Sequence, residues 1–465
     1  MRKILNLEVI KIFEMLFSLL VAISVFALVL NVNGYNNLFL VPLSYLILCL
    51  CFRKVYSNKS FAVISLHIMA FIKYVLTPLI IVLNKDYYSG VLTGGQPTAE
   101  SLEKSIYFMI YEMVIVFLFM EFYDLFGKKL KISKYRNEAT RFNVAYTILF
   151  TIGLVLLIVF KDYLLPKALT KKSVQNTQFA FSGAVNILYT NFKILLFLLD
   201  LQHCFNKYKH TNKFKYIILS GLVMLIYLIL QFSTSRWEML LPAIIYMYLC
   251  FFHFRKRFKI VAVGISIVLV VALIYITLFK FSWIFQKEGS GLNTVFSVLT
   301  QQFQEYFSGP RPVAQGFETI DKYDDNIDIE TLFNDYVGTI PFVSHYINQQ
   351  DRINIYYNWH LKGVGQTATQ IMPIISIGYA YFTEFGAGIL LCIYLAISMR
   401  IGQKESQTTN TFYKYIDCFT ILVLNMSIYF NTQIVFGFLV NISIPAIVFL
   451  YFNNRVTWKK TYKKI

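Results

Sequence analysis

The sequence predicts an all-α polytopic membrane protein with about twelve transmembrane helices and one large outer loop between the ninth and the tenth. Hydrophobic residues occupy 57% of the 465 positions, and the mean hydropathy is +0.56. Soluble domains contain only about 45–50% apolar residues. Apolar runs of roughly 17–25 residues recur along the chain, and each can cross about 30 Å of hydrocarbon as a helix.

Twelve apolar runs are predicted to span the membrane. They cover residues 10–31, 38–52, 60–83, 105–125, 144–161, 183–203, 215–232, 237–254, 260–282, 385–399, 413–430 and 435–452. The first resembles a signal peptide, but it is long and no small-residue cleavage site follows, so we interpret it as a retained helix. The second is short and contains Pro42. The chain is thereby divided into spans one to nine (1–282), an outer segment with short helices (283–384), and spans ten to twelve with a basic cytoplasmic tail (385–465).

The formal net charge of +18 is explained by membrane topology. Both termini and every second connection are basic, for example GKKLKISKYRNEATR and NKYKHTNKFK. Basic connections stay on the cytoplasmic side of a membrane. We therefore predict that both termini are cytoplasmic, and the charge gives no reason to expect a nucleic-acid partner.

The outer segment, residues 283–384, differs from the rest of the chain. It holds 11 of the 25 acidic residues but only five of the 43 Lys and Arg, and it is rich in aromatic residues. Loops of this length are usually functional, and the aromatic content argues against disorder. Within it, LNTVFSVLTQQFQEYF predicts a helix that stops at Gly309-Pro310. The stretch TATQIMPIISIGYAYF predicts a helix that lies on, or dips into, the outer membrane face.

Two arginines are candidates for binding an anion. Arg236 follows three small hydroxyl residues in FSTSRWEMLLP, with Glu238 just behind it. Arg311 lies between two prolines in GPRP, which predict an extended backbone that holds the cation rigidly. Arginine binds phosphate through two parallel hydrogen bonds. The alternatives are that Arg236 reaches to lipid headgroups and that Arg311 pairs with carboxylates of the outer segment.

The stretch QQDRINIYYNWHLKGVG brings together aromatic rings and a few polar groups, a combination that suits the apolar faces and hydroxyl groups of sugar rings. The candidates for substrate binding are Arg352, Tyr356, Tyr357 and Trp359. His360 could accept a proton from a hydroxyl near neutral pH. The alternative is that these aromatic residues pack the segment onto the membrane surface.

No metal site or cofactor is predicted. The acidic stretch YDDNIDIE offers oxygen ligands for a divalent cation, but its spacing matches no metal-binding loop, and we interpret it as a solvated turn. The six cysteines lie in or beside apolar runs without a C-x-x-C motif, which indicates small core residues.

Several charged residues fall within predicted spans: Lys73, Glu112, Glu121, Lys193 and Asp200. Each costs about 2.5–3.5 kcal/mol at a helix centre on insertion scales, so these residues should face protein or water. Pairing across helices, a transport pathway and a groove for a lipid-linked substrate are all compatible with them.

Together these features resemble the Wzy-type polymerases of oligosaccharide repeat units, which extend O-antigen and capsular polysaccharides. The resemblance covers most of the chain. It consists of the twelve-span layout, the late outer loop, STSR at the eighth span, YFSGPRPVA, and IMPIISIGYAYFTEFGAGILL before the tenth span.

The resemblance implies a bacterial cytoplasmic-membrane enzyme whose substrate is an oligosaccharide linked by diphosphate to undecaprenol. It implies that Arg236 and Arg311 stabilise the diphosphate, that His360 or Glu238 accepts the proton of the acceptor hydroxyl, and that Lys193 belongs to a groove for the substrate. Membrane lipid, a chain-length regulator and a flippase are the implied partners. A flippase for the same lipid-linked units and an O-antigen ligase are the alternative functions.

Overall fold

The computed structural model describes residues 2–85, 87, 95–127, 136, 142–164, 182–230, 236–280, 291–341, 343–362 and 370–456. Every regular element among these residues is helical, and none of them forms a strand. The all-α class predicted from the sequence is therefore confirmed.

The α-helices of the described residues are numbered along the chain. The first eleven are α1 (Arg2–Val29), α2 (Leu40–Cys51), α3 (Lys54–Ser57), α4 (Phe61–Asn84), α5 (Ala99–Glu121), α6 (Val144–Val159), α7 (Lys161–Leu164), α8 (Ser182–Thr211), α9 (Lys215–Leu230), α10 (Arg236–Phe254) and α11 (Lys259–Lys280). The outer segment contains α12 (Leu292–Tyr306), α13 (Pro310–Tyr323), α14 (Ile329–Val337) and α15 (Ile353–Lys362). The last five are α16 (Ile374–Gly386), α17 (Ile389–Ser406), α18 (Thr411–Asn425), α19 (Thr432–Phe438) and α20 (Ile444–Arg455).

Among the residues that the structure describes, five helical stretches are long and apolar enough to cross a membrane. They are Glu8–Val29, Phe61–Asn84, Gly183–Thr211, Met239–Tyr275 and Thr432–Arg455. A sixth is added if α16 and α17, which are bent by 102° relative to each other, count as one span. These apolar helices are consistent with a helical membrane protein. Each of the twelve predicted spans overlaps a helix, but the number twelve stays a prediction.

The chain forms two compact units. The first comprises Met1–Leu130, Lys287–Ser406 and Thr420–Phe438, and therefore includes the helices of the outer segment. The second comprises Lys131–Gln286, Gln407–Phe419 and Leu439–Ile465.

An irregular turn in α4 accommodates a proline. Pro78 lacks the N–H that a regular helix would use, and its ring crowds the carbonyl one turn earlier. The preceding turn, Ile72–Leu76, is π-helical, and the hydroxyl of Thr77 donates to the carbonyl of Ile72 at 3.0 Å. Lys73 lies within this widened turn and is fully buried.

Lys73 forms an ion pair in the core of the first unit. Its Nζ lies 2.6 Å from Oε2 of Glu112 on α5, and neither side chain is exposed. The same Nζ donates to the carbonyl oxygen of Ile428, also at 2.6 Å. One of the pairings across helices that the sequence suggested is therefore present.

The 426–431 turn, which holds Ile428, connects the apolar helices to the outer segment. The hydroxyl of Tyr429 donates to the carbonyl of Met69 on α4 at 2.6 Å. The carbonyl of Tyr429 accepts from the hydroxyl of Ser308, just before α13, at 2.6 Å. Asn431 donates through Nδ2 to Oδ1 of Asn354 on α15 at 3.0 Å. One turn thus holds both α13 and α15.

The predicted end of α12 is confirmed, but the predicted extended backbone at Arg311 is wrong. The helix α12 stops at Tyr306, Ser308 has a left-handed φ of 47°, and Gly309 precedes α13. Pro310 and Arg311 are the first two helical residues. Proline is favoured at the first helical position because its fixed φ suits a helix and its missing N–H needs no partner there.

In the second unit, two of the predicted intramembrane charges contact tyrosine side chains. The Nζ of Lys193 lies 4.8 Å above the ring of Tyr189, and Asp200 accepts a hydrogen bond of 3.1 Å from Tyr227. An ion pair joins Arg136 to Asp417, with a second contact of 3.2 Å from Nη2 to Oδ1. Glu121, in the first unit, accepts from the backbone N–H of Lys54 at 3.0 Å.

Removing one member of the buried pair should destabilise the protein strongly. We expect Lys73→Met or Glu112→Leu to lower the free energy of unfolding by about 3–5 kcal/mol, because each leaves an uncompensated buried charge. The double variant should recover much of that loss. Thermal unfolding of the purified protein in detergent measures both effects.

The exposed pair of Lys54 and Asp124, 2.9 Å apart, provides the matched control. The variant Lys54→Ala should leave the unfolding temperature nearly unchanged, because exposed ion pairs contribute little. A double variant no more stable than either single variant would show that the pair itself is not the source of the effect.

Candidate functional site

The candidate site lies on α13 and α15 of the outer segment. The helix α13 packs against α5, α15 and α16. Its packing against α16 is close, because a Cβ added at Gly316 would lie 2.6 Å from the Cβ and Oγ of Ser376. The hydroxyl of Ser376 also donates to the carbonyl of Val313 at 3.2 Å. These contacts fix α13 against its neighbours.

A histidine and a carboxylate meet between α15 and α13. The Nε2 of His360 lies 3.6 Å from Oε2 of Glu318, and both side chains are about one-fifth exposed, at 22% and 18%. The other carboxylate oxygen, Oε1, accepts from the backbone N–H of Thr98 at 2.6 Å. Thr98 also caps α5, since its hydroxyl accepts from the N–H of Ser101. The start of α5 therefore orients Glu318 toward His360.

The contacts of Glu318 change its acidity. Burial alone would raise the pKa of Glu318, but the hydrogen bonds with His360 and Thr98 outweigh burial and hold the pKa below its ordinary value. Glu318 is therefore ionised at neutral pH where it faces His360. A carboxylate that orients a histidine and stabilises its protonated form is a recurring arrangement in acid–base catalysis.

Three aromatic rings contact one another on α13 and α15, the helices that carry Glu318 and His360. The rings of Tyr323 and Tyr356 stack at 5.5 Å, and Trp359 packs edge-on against Tyr356 at 5.5 Å. Tyr356 is nearly buried, and its hydroxyl donates to Oδ1 of Asp351 at 2.7 Å. Tyr323 and Trp359 are partly exposed. We call Glu318, Tyr323, Tyr356, Trp359 and His360 the outer cluster.

Arg311 lies inside the first unit and not on its surface. It is only 4% exposed in the first turn of α13, where its backbone N–H donates to Oε1 of Gln304 at 3.3 Å. Tyr357 is fully buried next to it and donates through its hydroxyl to the carbonyl of Pro312 at 3.4 Å. The charges of Glu305 and Arg311 act on Tyr357 in opposite directions. Arg311 therefore has an acidic and an aromatic environment.

Arg352 lies near a buried carboxyl group that the sequence did not single out. Its Nε donates to the carbonyl of Gln349 at 3.1 Å, and it is 8% exposed. Asp335 on α14 is fully buried, and neither carboxylate oxygen has a hydrogen-bond partner among the described residues. Burial raises the pKa of Asp335 to about 7, although the charge of Arg352 opposes that shift. Burial also lowers the pKa of Arg352.

The acidic stretch behaves as the predicted turn. Asp324 and Asp325 are exposed. Asp328 caps α14: its carboxylate accepts from the N–H of Thr331 at 2.9 Å, and the Thr331 hydroxyl accepts in return from the N–H of Asp328. These bonds lower the pKa of Asp328.

The remaining predicted site residues belong to the second unit. Arg236 is the first residue of α10 and Glu238 follows two residues later, but the side chains of both lie outside the described residues. Lys193, predicted to contact substrate, lies on α8 above Tyr189. The roles of these three residues stay predictions.

The sequence did not single out Glu318 or Asp335 as a site residue. Both were counted among the 11 acidic residues of the outer segment. The position of Glu318 within a helix that begins at Pro310 could have indicated a fixed carboxylate. Its pairing with His360 depends on the packing of α13 against α15, which no local pattern encodes.

Comparisons with known proteins identify no relative. No family model, no curated protein and no solved structure matches the chain. Function is therefore inferred from the residues and contacts of this chain.

The raised pKa of Asp335 predicts a specific pH dependence of stability. Between about pH 4 and pH 7 the folded protein holds the proton of Asp335 while the unfolded chain releases it. The free energy of unfolding therefore falls as pH rises through this window. In the wild type, the free energy of unfolding should fall by on the order of 4 kcal/mol across this window, since each pKa unit is worth about 1.4 kcal/mol. We expect Asp335→Asn not to show this fall. Thermal unfolding between pH 4 and pH 8 measures the difference from the wild type.

The exposed residue Asp325 provides the control, because Asp325→Asn should leave the pH profile unchanged. Arg352, Tyr336, Tyr381 and Tyr394 are the titratable groups that interact with Asp335, and all remain in the variant. If wild type and Asp335→Asn lost stability in parallel as pH rose, Asp335 would not carry the bound proton.

Proposed function

We propose that this protein is a glycosyltransferase that polymerises undecaprenyl-diphosphate-linked oligosaccharide repeat units into O-antigen or capsular polysaccharide. The observation that carries the proposal is the outer cluster. In it, the two helices that hold a histidine paired with a carboxylate also carry partly exposed aromatic rings. Aromatic faces bind sugar rings, and a paired histidine accepts protons from hydroxyl groups. The resemblance of the sequence to Wzy-type polymerases supports the same conclusion.

The proposed reaction transfers the growing chain to a hydroxyl of the incoming unit. The bond between the anomeric carbon and the diphosphate oxygen breaks, and a new bond forms from the anomeric carbon to the acceptor oxygen. Undecaprenyl diphosphate leaves with the electron pair, and the proton of the acceptor hydroxyl goes to a base. The reaction therefore needs a base, a binding surface for sugar, and stabilisation of the leaving diphosphate.

His360 is the proposed base. Glu318 stabilises the imidazolium that forms when His360 takes the proton, and Thr98 keeps Glu318 in position. Tyr323 and Trp359, on the two helices that carry Glu318 and His360, offer partly exposed ring surface for a sugar. This juxtaposition holds the acceptor hydroxyl close to the base, where orientation alone is worth several kcal/mol.

Arg311 is proposed to act on the diphosphate from inside the first unit. Its burial strengthens its electrostatic effect, because charges interact more strongly away from water. Arg236 is also proposed to stabilise the diphosphate, and this proposal rests on the sequence alone. Arg352 is proposed to contribute to the environment of the outer cluster through Asp335 and not through direct contact with sugar.

The proposed location is a bacterial cytoplasmic membrane. Twelve spans, both termini in the cytoplasm and the outer segment on the opposite face of a bacterial cytoplasmic membrane agree with the distribution of basic residues. Lipid-linked units already moved to the outer leaflet would reach the outer cluster there. A flippase and a chain-length regulator are the proposed partners.

Replacing the base or its partner should reduce polymerisation by the purified protein. With purified lipid-linked repeat units as substrate, we expect His360→Ala to lower the turnover number by about 10²–10⁴-fold, the range of general base catalysis. Glu318→Gln should cause a smaller loss. Gel analysis of the product ladder over time gives the rates.

Two exposed residues of the outer segment provide matched controls: His345→Ala for the histidine and Glu330→Gln for the carboxylate. Both should retain wild-type rates. Full polymer yield with His360→Ala would refute the role of His360. Transfer of finished polymer to a lipid-core acceptor, with no chain extension, would instead identify a ligase.

The orientation can be tested by labelling in intact cells. Tyr346, which is 88% exposed in the outer segment, and Lys209, exposed on α8, are predicted to lie on opposite faces of the membrane. A membrane-impermeant maleimide should modify Tyr346→Cys above the wild-type background but should modify Lys209→Cys only after cell lysis. The reverse pattern would put the outer segment in the cytoplasm and exclude the proposed reaction.

A further inference from the structure

Three potential metal ligands converge within the first unit. Glu14 on α1, Cys49 on α2 and His67 on α4 each present one ligand atom, and these atoms all lie within 4.8 Å of one another. Among the described residues, this is the one group of three such side chains so arranged. The Nε2 of His67 lies 2.8 Å from Oε1 of Glu14. Three different helices therefore contribute to one polar cluster.

The cluster is shielded from solvent. Cys49 is 1% exposed, and the side chains of His67 and Glu14 are 14% and 13% exposed. Burial makes an unpaired carboxylate or thiolate costly. A compensating positive charge would remove that cost.

Aromatic residues orient the three ligands. The hydroxyl of Tyr45 donates to Oε1 of Glu14, and its ring lies nearly parallel to that of His67 at 6.3 Å. Tyr56 packs edge-on against His67 at 5.1 Å. Its hydroxyl is buried beside Cys49 and Glu14 and makes no hydrogen bond of regular geometry. Metal ligands are commonly held by such neighbouring groups.

The ligand types match a borderline-soft divalent transition metal. Zinc binds cysteine sulfur, histidine nitrogen and carboxylate oxygen in tetrahedral sites, with bond lengths of about 2.0–2.3 Å. Ligand atoms in such a site are about 3.4 Å apart, which small side-chain rotations can reach from the present spacing. One carboxylate, one thiolate and a neutral imidazole balance a charge of +2 to zero. A neutral site suits a cluster between apolar helices.

We propose that Glu14, Cys49 and His67 form a binding site for a divalent transition metal of the zinc class, with the Tyr56 hydroxyl or a water in the fourth position. Binding requires loss of the thiol proton of Cys49. The metal would hold α1, α2 and α4 together. This site is independent of the outer cluster and of the polymerase reaction.

The test measures zinc bound by the full-length protein purified in detergent. After dialysis against zinc and then against zinc-free buffer, the wild type should retain one zinc ion per chain by mass spectrometry of the metal. Cys49→Ala and His67→Ala should lower zinc affinity at least about 100-fold, since even groups that only support a ligand are worth 10–100-fold. Cys250→Ala, which removes a buried cysteine on α10, should retain the ion.

Cobalt provides a readout that does not depend on stability. Wild type loaded with Co²⁺ should show thiolate-to-cobalt charge-transfer absorption, and Cys49→Ser should lose it while still eluting as a single species with unchanged helical circular dichroism. Absence of bound zinc in the wild type, or cobalt absorption that survives Cys49→Ser, would overturn the proposal. Either result would identify the three residues as a hydrogen-bonded cluster without a metal.

Discussion

The buried ion pair between Lys73 and Glu112 is the constraint on which the first unit depends. Both side chains are fully buried, and each charge is compensated only while the other stays 2.6 Å away. The widened turn of α4 that accommodates Pro78 also contains Lys73. Lys73 has a further partner in the carbonyl of Ile428. The pair therefore joins α4 to α5 and to the 426–431 turn, because separating the two buried charges would leave each uncompensated.

The 426–431 turn connects this constraint to the outer cluster. Through Tyr429 it holds Ser308, which precedes α13, and through Asn431 it holds Asn354 on α15. Glu318 and His360 lie on these two helices. Hydrogen bonds to one interior turn thus help to set the distance between His360 and Glu318. Catalytic groups need such support, because small displacements reduce catalysis strongly.

The sequence predicted the features that depend on residues close together in the chain. The apolar runs predicted the helices, and Gly309-Pro310 marked the end of α12. The cost of charge in lipid indicated a pairing such as that of Lys73 with Glu112. The same reasoning failed at Arg311, because a proline that disfavours a helix interior favours a helix start. The partner of His360, the burial of Asp335 and the convergence of Glu14, Cys49 and His67 arise from packing between helices distant in sequence, which no spacing motif records.

The central claim is that the outer cluster binds the sugar of a lipid-linked substrate next to a catalytic histidine. The most direct measurement is a single-particle structure of the protein in lipid nanodiscs with a purified lipid-linked repeat unit. The claim predicts density for a sugar ring against Trp359 or Tyr323, with a hydroxyl within about 3.2 Å of a nitrogen of His360. Density for the saccharide at another place, with the outer cluster free of sugar, would contradict it.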